Sequence, residues 1–171
     1  MLRDELQHRL KGKVLLIGIG NPLRGDDASG PALIEMLADR VSAGLLDAGE
    51  VPESYVGRIL AARADTIVVV DAADFGAEAG DVAVLEIENL AGCAISTHQM
   101  PLGVLLRHIA EKSRADLFAL GVQAAHIDFG EPPSPEVMGS LRDLAELFME
   151  LLPRETLPYS HAFIEPKQVS L

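Results

Sequence analysis

Cysteine, tryptophan and basic charge are what this 171-residue chain has least of, and each scarcity removes a class of function. Cys93 is the single cysteine, so no intramolecular disulfide and no thiolate zinc cluster can be built, and a cytoplasmic setting is expected. There is no tryptophan and only 4% of the residues are aromatic, which argues against a stacking platform for single-stranded nucleic acid. Against 26 acidic residues stand 14 lysines and arginines, a net charge of −12, and nucleic acid or an anionic membrane would be repelled at long range. A basic or metal-bearing partner suits such a chain better. No apolar run approaches the length of a membrane span, and residues Met1 to Gly12 are charged and polar without the apolar centre of a signal peptide. Internal repeats and dividing linkers are absent too, so one domain with one core is expected.

What is present is a strand and helix alternation. Val14 to Ile17 and Ile67 to Val70 are unbroken β-branched and aliphatic runs, as central parallel strands covered on both faces require, the second ending at Asp71. Pro31 to Val41 spaces Leu33, Ile34, Leu37, Ala38 and Val41 as one helical face, and a short apolar stretch at Leu45 and Leu46 precedes a second helix over Tyr55 to Arg63. Val82 to Ile87 follows the turn signal Gly80-Asp81 and reads as an edge or antiparallel strand. A third helix is expected over Leu102 to Lys112, a further strand over Asp116 to Val122, and a last helix over Pro135 to Leu152, stopped by Pro153. The pattern predicts a three-layer α/β/α domain over residues 1–152, with a twisted, mostly parallel sheet of about five strands. Residues 153–171 are polar, punctuated by proline and read as a loosely held tail.

The chemistry gathers after the first strand, in Gly18-Ile19-Gly20-Asn21-Pro22-Leu23-Arg24-Gly25-Asp26-Asp27-Ala28-Ser29-Gly30. A dinucleotide loop spaces its glycines G-x-G-x-x-G and offers bare N–H groups to an anion, whereas here the third glycine comes later and two carboxylates follow it. Those charges would repel pyrophosphate and suit a cation or a proton transfer. Capping of the helix that starts near Ala28 is the competing role, above all for Asp26. In an open α/β sheet ligands sit beyond the carboxyl ends of the strands. Asp27, Asp71 and His98 all fall there, His98 in the loop Ser96-Thr97-His98-Gln99-Met100-Pro101. Two carboxylates and an imidazole would hold zinc, nickel or a similar divalent ion while leaving positions open for water or substrate. Each of the three also has an ordinary role open to it, as a turn cap or a surface imidazole. Asp74 rivals Asp71, with turn formation as its alternative. His126 could approach the same crevice, while His8, His108 and His161 read as structural or solvated. Cys93 has no nucleophile elbow around it and reads as a buried cysteine.

Taken together, Gly18-Ile19-Gly20-Asn21 with Gly25-Asp26-Asp27-Ala28-Ser29-Gly30, then Asp71-Ala72-Ala73-Asp74-Phe75-Gly76, then Thr97-His98-Gln99-Met100-Pro101-Leu102 resemble the maturation proteases of NiFe hydrogenases in order and spacing. The resemblance runs to about Leu152. The His-Gln-Met-Pro-Leu form, with Leu120-Gly121-Val122-Gln123, is most similar to the hydrogenase 3 (formate hydrogenlyase) subgroup and its archaeal relatives. It implies an endopeptidase that removes a short C-terminal extension from a hydrogenase large-subunit precursor once nickel is in place. It also places the metal-contacting and catalytic roles on Asp27, Asp71 and His98. The nickel would be carried by the precursor, with zinc or another divalent ion able to stand in, and the protease itself would be a cytoplasmic monomer. Two departures bear on substrate-loop contacts: Ala124 follows Gln123 where relatives often have proline, and Asp47-Ala48-Gly49-Glu50 replaces a more usual Asp-Gly-Gly-Thr or Asp-Gly-Gly-Ser. The rival from another class is a non-catalytic nickel- or nucleotide-binding module on the same scaffold. A free-standing zinc peptidase would be expected to carry a His-Glu-x-x-His helix, which this chain does not have.

Overall fold

The computed structural model describes residues 1–88, 94, 95 and 102–154. The elements run α1 (Leu2–Arg9), β1 (Val14–Ile19), α2 (Ser29–Leu37), β2 (Gly44–Gly49), α3 (Val56–Ala61), β3 (Thr66–Asp74), β4 (Val82–Leu85), β5 (Ala94–Ile95), α4 (Leu102–Ser113), β6 (Asp116–Gln123) and α5 (Pro135–Leu151). Among the described residues one sheet holds all the strands in the order β2-β1-β3-β6-β4, with β5 added to the far end of β3. β2, β1, β3 and β6 are mutually parallel, whereas β4 and β5 pair antiparallel with β6 and β3. The chain steps outward from β1 to β2 and then crosses back to β3 on the other side of β1. This reversal of winding opens a crevice at the carboxyl ends of β1 and β3.

The period-two alternation of the central strands sends side chains to both faces of the sheet, so two hydrophobic clusters stand where a single core is expected from the sequence. Val14 and Leu16, Val68 and Val70, and Phe118, Leu120 and Val122 face α2 and α5, meeting Leu33 and Leu37 from one helix and Val137, Leu141, Leu144 and Phe148 from the other. Leu15, Ile17, Ile67, Val69, Leu117 and Ala119 face Ile59 of α3 and Leu105, Leu106 and Ile109 of α4. Three layers follow, as the strand and helix pattern predicts. α5 starts where its sequence says it should, with Ser134 as cap accepting from the Val137 amide at 3.4 Å and Pro135 in the first turn.

Four expectations shift. The first helix spans Ser29–Leu37 rather than 31–41: Pro31 falls in its first turn, where a missing amide hydrogen costs nothing, and Val41 instead bridges Pro153. The second expected helix, over 55–63, divides into a 3-10 turn at Pro52–Tyr55 and a six-residue α3. β3 continues through Asp71 to Asp74, because β6 pairs with it as far as Ala73 and β5 extends its other edge. Residues 2–9, read from sequence only as a polar segment, form α1. This helix buries Leu6 alone and is fastened largely by Arg9. The Arg9 guanidinium lies 3.9 Å over the Phe118 ring, donates to Asp116 at 3.0 and 2.5 Å and pairs with Glu86. The bond to Asp116 raises the guanidinium's pKa further above its already high value, against the opposing effect of burial. Arg3 makes a second, exposed link to Glu150 of α5 at 2.7 Å, and this pairing holds the Glu150 carboxyl below the usual carboxylate range.

α2 lies unusually close to the sheet. A Cβ on Gly30 would press into the backbone nitrogen and oxygen of Ile19 and the carbonyl oxygen of Val70, and one on Gly18 would press into the Gly30 carbonyl. Backbone cannot yield as a side-chain tip can. Gly30→Ala should therefore lower unfolding stability by about 3 kcal/mol in urea titration. Arg9→Ala should cost about 1–3 kcal/mol, through lost hydrogen bonds and ring contact, without altering the far-UV circular dichroism of the rest of the domain.

Candidate active site

After β1 the chain turns sharply at Gly20, whose φ of +133° is a conformation reserved for glycine and whose missing Cβ leaves room for the Asp27 carbonyl. The Gly20 amide donates to the Gly49 carbonyl at 3.0 Å, fixing the loop against the end of β2. Asn21 then folds back: its side-chain oxygen accepts from the Leu23 amide at 2.8 Å, and its own amide donates to Oδ2 of Asp27 at 3.0 Å. A 3-10 turn over Gly25–Ala28 packs against β3 and carries both aspartates before α2 begins.

The two neighbouring carboxylates have different surroundings. Asp26 has no solvent exposure and takes four hydrogen bonds from the segment between β6 and α5. These come from the amides of Ala125 at 2.7 Å, His126 at 3.2 Å and Ser134 at 2.6 Å, and from the Ser134 hydroxyl at 3.0 Å. Main-chain bonds from Gly25 to Glu131, from Asp26 to His126 and from Gly130 to Leu23 run alongside. Asp26 is therefore a clasp between distant loops and not the cap of its own helix. Asp27, 5% exposed, holds the Asn21 amide at the mouth of the crevice.

Asp71 is 2% exposed and sits one residue beyond Val70, the last residue of β3 that pairs with β1. It therefore stands just past the end of the pairing with β1, and by strand alternation it shares the face of Ile67 and Val69. Asp74 lies on the opposite parity and is exposed. Its Oδ1 accepts from the Gly76 amide at 3.3 Å and from Nε2 of Gln123 at 3.2 Å, which is the turn-forming role open to it from sequence. Gln123 completes this clamp, its Oε1 accepting from the amides of Phe75 at 2.9 Å and Ala77 at 3.2 Å. The sequence alone offered no sign of either clamp, since both join residues far apart in the chain.

Asp27 thus follows β1 and Asp71 lies towards the carboxyl end of β3, the two adjacent parallel strands at which the winding reverses. His98 and the loop around it, like Cys93 and His161, lie outside the described residues, and α4 begins four positions after His98, at Leu102. His126 is half-buried beneath Gly25, with its amide on Asp26; His8 and His108 are exposed. Among the described residues no group of three histidine, cysteine, aspartate or glutamate side chains gathers as a metal site. The two crevice carboxylates supply hard oxygen donors of the kind a divalent cation accepts, and a buried carboxylate gains from such a charge what it loses in hydration.

A family model described as HycI, hydrogenase maturation protease, matches residues 31–151. The hydrogenase 3 maturation protease of Escherichia coli K12 is 31% identical over 121 residues, 69% of this chain and 77% of that one. The crystal structure of a NiFe hydrogenase maturation protease HycI from Thermococcus kodakarensis KOD1 superposes with a TM-score of 0.80 at 37% identity, covering 86% of this chain and 98% of that one. The solution structure of the endopeptidase HycI from Escherichia coli gives 0.73 at 25% identity, covering 81% and 90%.

Removing the Asp26 carboxylate would strand buried amides in two segments at once. Asp26→Ala should lower unfolding stability by about 3 kcal/mol and open residues 124–134 to limited proteolysis before the sheet unfolds. Unchanged stability and an unchanged cleavage pattern would refute the clasp.

Proposed function

The chain belongs to the hydrogenase maturation protease family, and from that premise we propose that it is the endopeptidase that trims the C-terminal extension from a NiFe hydrogenase large-subunit precursor once nickel has been inserted. In this reading Asp27, Asp71 and His98 meet the nickel carried by the precursor, so that a loaded precursor is held and an empty one is released. The observation that supports the reading is that two almost fully buried carboxylates, Asp27 and Asp71, follow β1 and lie towards the carboxyl end of β3, the adjacent strands at which the winding reverses. Their neighbours Asp26 and Asp74 accept hydrogen bonds from distant segments. Support for the substrate comes from the names of the relatives, one a hydrogenase 3 maturation protease and another a NiFe hydrogenase maturation protease.

Hydrolysis of the scissile amide adds water to the carbonyl carbon, breaks the carbon–nitrogen bond and moves one proton from the water to the departing amine. A carboxylate at the crevice mouth suits that relay, and Asp27, anchored through the Asn21 amide, is the one that would act as general base instead of meeting the metal. The rigid backbone around Gly20 and the Asp26 clasp limit how far the first carboxylate can drift, which matters because small displacements of catalytic groups are costly in rate.

Incubation of the purified protein with nickel-loaded and nickel-free precursor, with the precursor's C-terminal end read by mass spectrometry, should show truncation of the loaded form alone. Asp71→Asn and His98→Ala should each lower the processing rate by about a hundredfold or more while leaving the melting temperature near that of the wild type. Wild-type rates in both variants would refute the assignment, and nickel binding without truncation of any precursor would favour the non-catalytic module.

A further inference from the structure

Met1 apart, the large apolar side chains exposed among the described residues are Leu23, Val51, Val104, Ile127 and Phe129, from 39% at Ile127 to 74% at Phe129. All five lie at the carboxyl end of the parallel strands. Leu23 follows β1, Val51 follows β2, and Ile127 and Phe129 follow β6. Val104 is in the first turn of α4, a helix that runs back to feed β6 and so begins at the same end of the sheet. The positions are also linked. The Gly130 amide donates to the Leu23 carbonyl at 2.8 Å, joining the loops that carry Leu23, Ile127 and Phe129, and the Gly20 amide donates to Gly49 just before Val51. The Asp26 clasp holds the two larger loops rigid from below. Single exposed apolar residues are ordinary on any surface, but their confinement to the rim of one crevice marks an interaction face.

The charges beside these side chains are mostly of one sign. Asp47 at the end of β2 and Glu50, Glu53, Asp128 and Glu131 on the following segments are exposed, with half-buried Arg24, the Arg58 guanidinium, stacked on Tyr55, and Arg107, one turn along α4 from Val104, as the neighbouring cations. An anionic membrane is therefore a poor occupant, and a polypeptide surface bearing lysine or arginine is a good one.

We propose that this apolar, acid-rimmed face docks the folded body of the protein substrate, against a patch of that partner where apolar side chains are flanked by basic ones. The proposal rests on the protease reading above and adds to it that affinity comes from around the crevice, apart from the groups that meet the metal or the scissile bond. Docking of this kind holds the precursor in place before its extension enters the site, so its loss appears in KM.

The test compares the wild-type chain, a Leu23→Ser/Phe129→Ser double variant and an Asp128→Lys/Glu131→Lys double variant. The probe is a nickel-loaded hydrogenase large-subunit precursor from the same organism, with Kd read by calorimetry, KM and kcat by mass spectrometry, and mass in solution by light scattering. The expected result is a Kd weakened about tenfold or more in both variants, a matching rise in KM, and melting temperatures near that of the wild type. Precursor affinities within twofold of wild type in both variants would overturn the docking face while leaving the protease reading intact. Wild-type binding that the variants lose, with no truncation by any of the three proteins, would overturn the protease reading and leave the docking face standing. If the wild type neither binds nor cuts, both fall. A wild-type dimer that dissociates in the serine variant with precursor affinity unchanged would assign the face to a second copy of the chain and overturn the proposal.

Discussion

An ionised carboxylate withdrawn from water is tolerated only where donors replace its hydration, and Asp26 has four of them, all supplied by residues about a hundred positions away. That single group joins the turn after β1 to the segment between β6 and the start of α5. Everything at the crevice mouth is referred to it. Asp27 is its covalent neighbour, Leu23 and Gly25 are bonded to the same opposing loop, and Ser134, which caps α5, is one of its donors.

The second constraint is steric. Gly18 and Gly30 let α2 rest against the backbone of β1 and β3, so the chain between strand and helix has little distance to cover and must reverse within a few residues. Gly20 makes that reversal possible, and the result is a carboxylate set close above the sheet end instead of at the tip of a long loop. On the other side of the crevice, the pairing of β3 with β1 ends at Val70, one residue before Asp71. A rigid site is thus assembled from backbone close packing, with few side chains committed to it.

Charge and apolarity are divided accordingly. The interior carboxylates near the crevice are nearly invisible to solvent, whereas the exterior ones stand beside exposed leucine, valine, isoleucine and phenylalanine side chains. No helix among the described residues is long and apolar enough to cross a membrane. With a net charge of −12, what the chain meets at long range is best imagined as basic, and what it meets at contact as partly apolar.

Local pattern determined most of the architecture. Val14 to Ile17 and Ile67 to Val70 announce central strands because only a doubly covered strand can be apolar at every position, and the helical spacing of Val137, Leu141, Leu144 and Phe148 needs no partner to be read. The family resemblance names Asp27 and Asp71 by position in the motifs. Polar α1 was hidden because one buried leucine makes no periodicity, and its anchor, Arg9, is recognisable only beside Asp116 and Phe118. That Asp26 clasps a segment about a hundred residues away, and that Asp74 closes its turn against Gln123, was decided by tertiary structure alone. Hydrogen bonds to a carboxylate depend on donors brought near in space, and in this chain those donors lie some fifty to a hundred residues away.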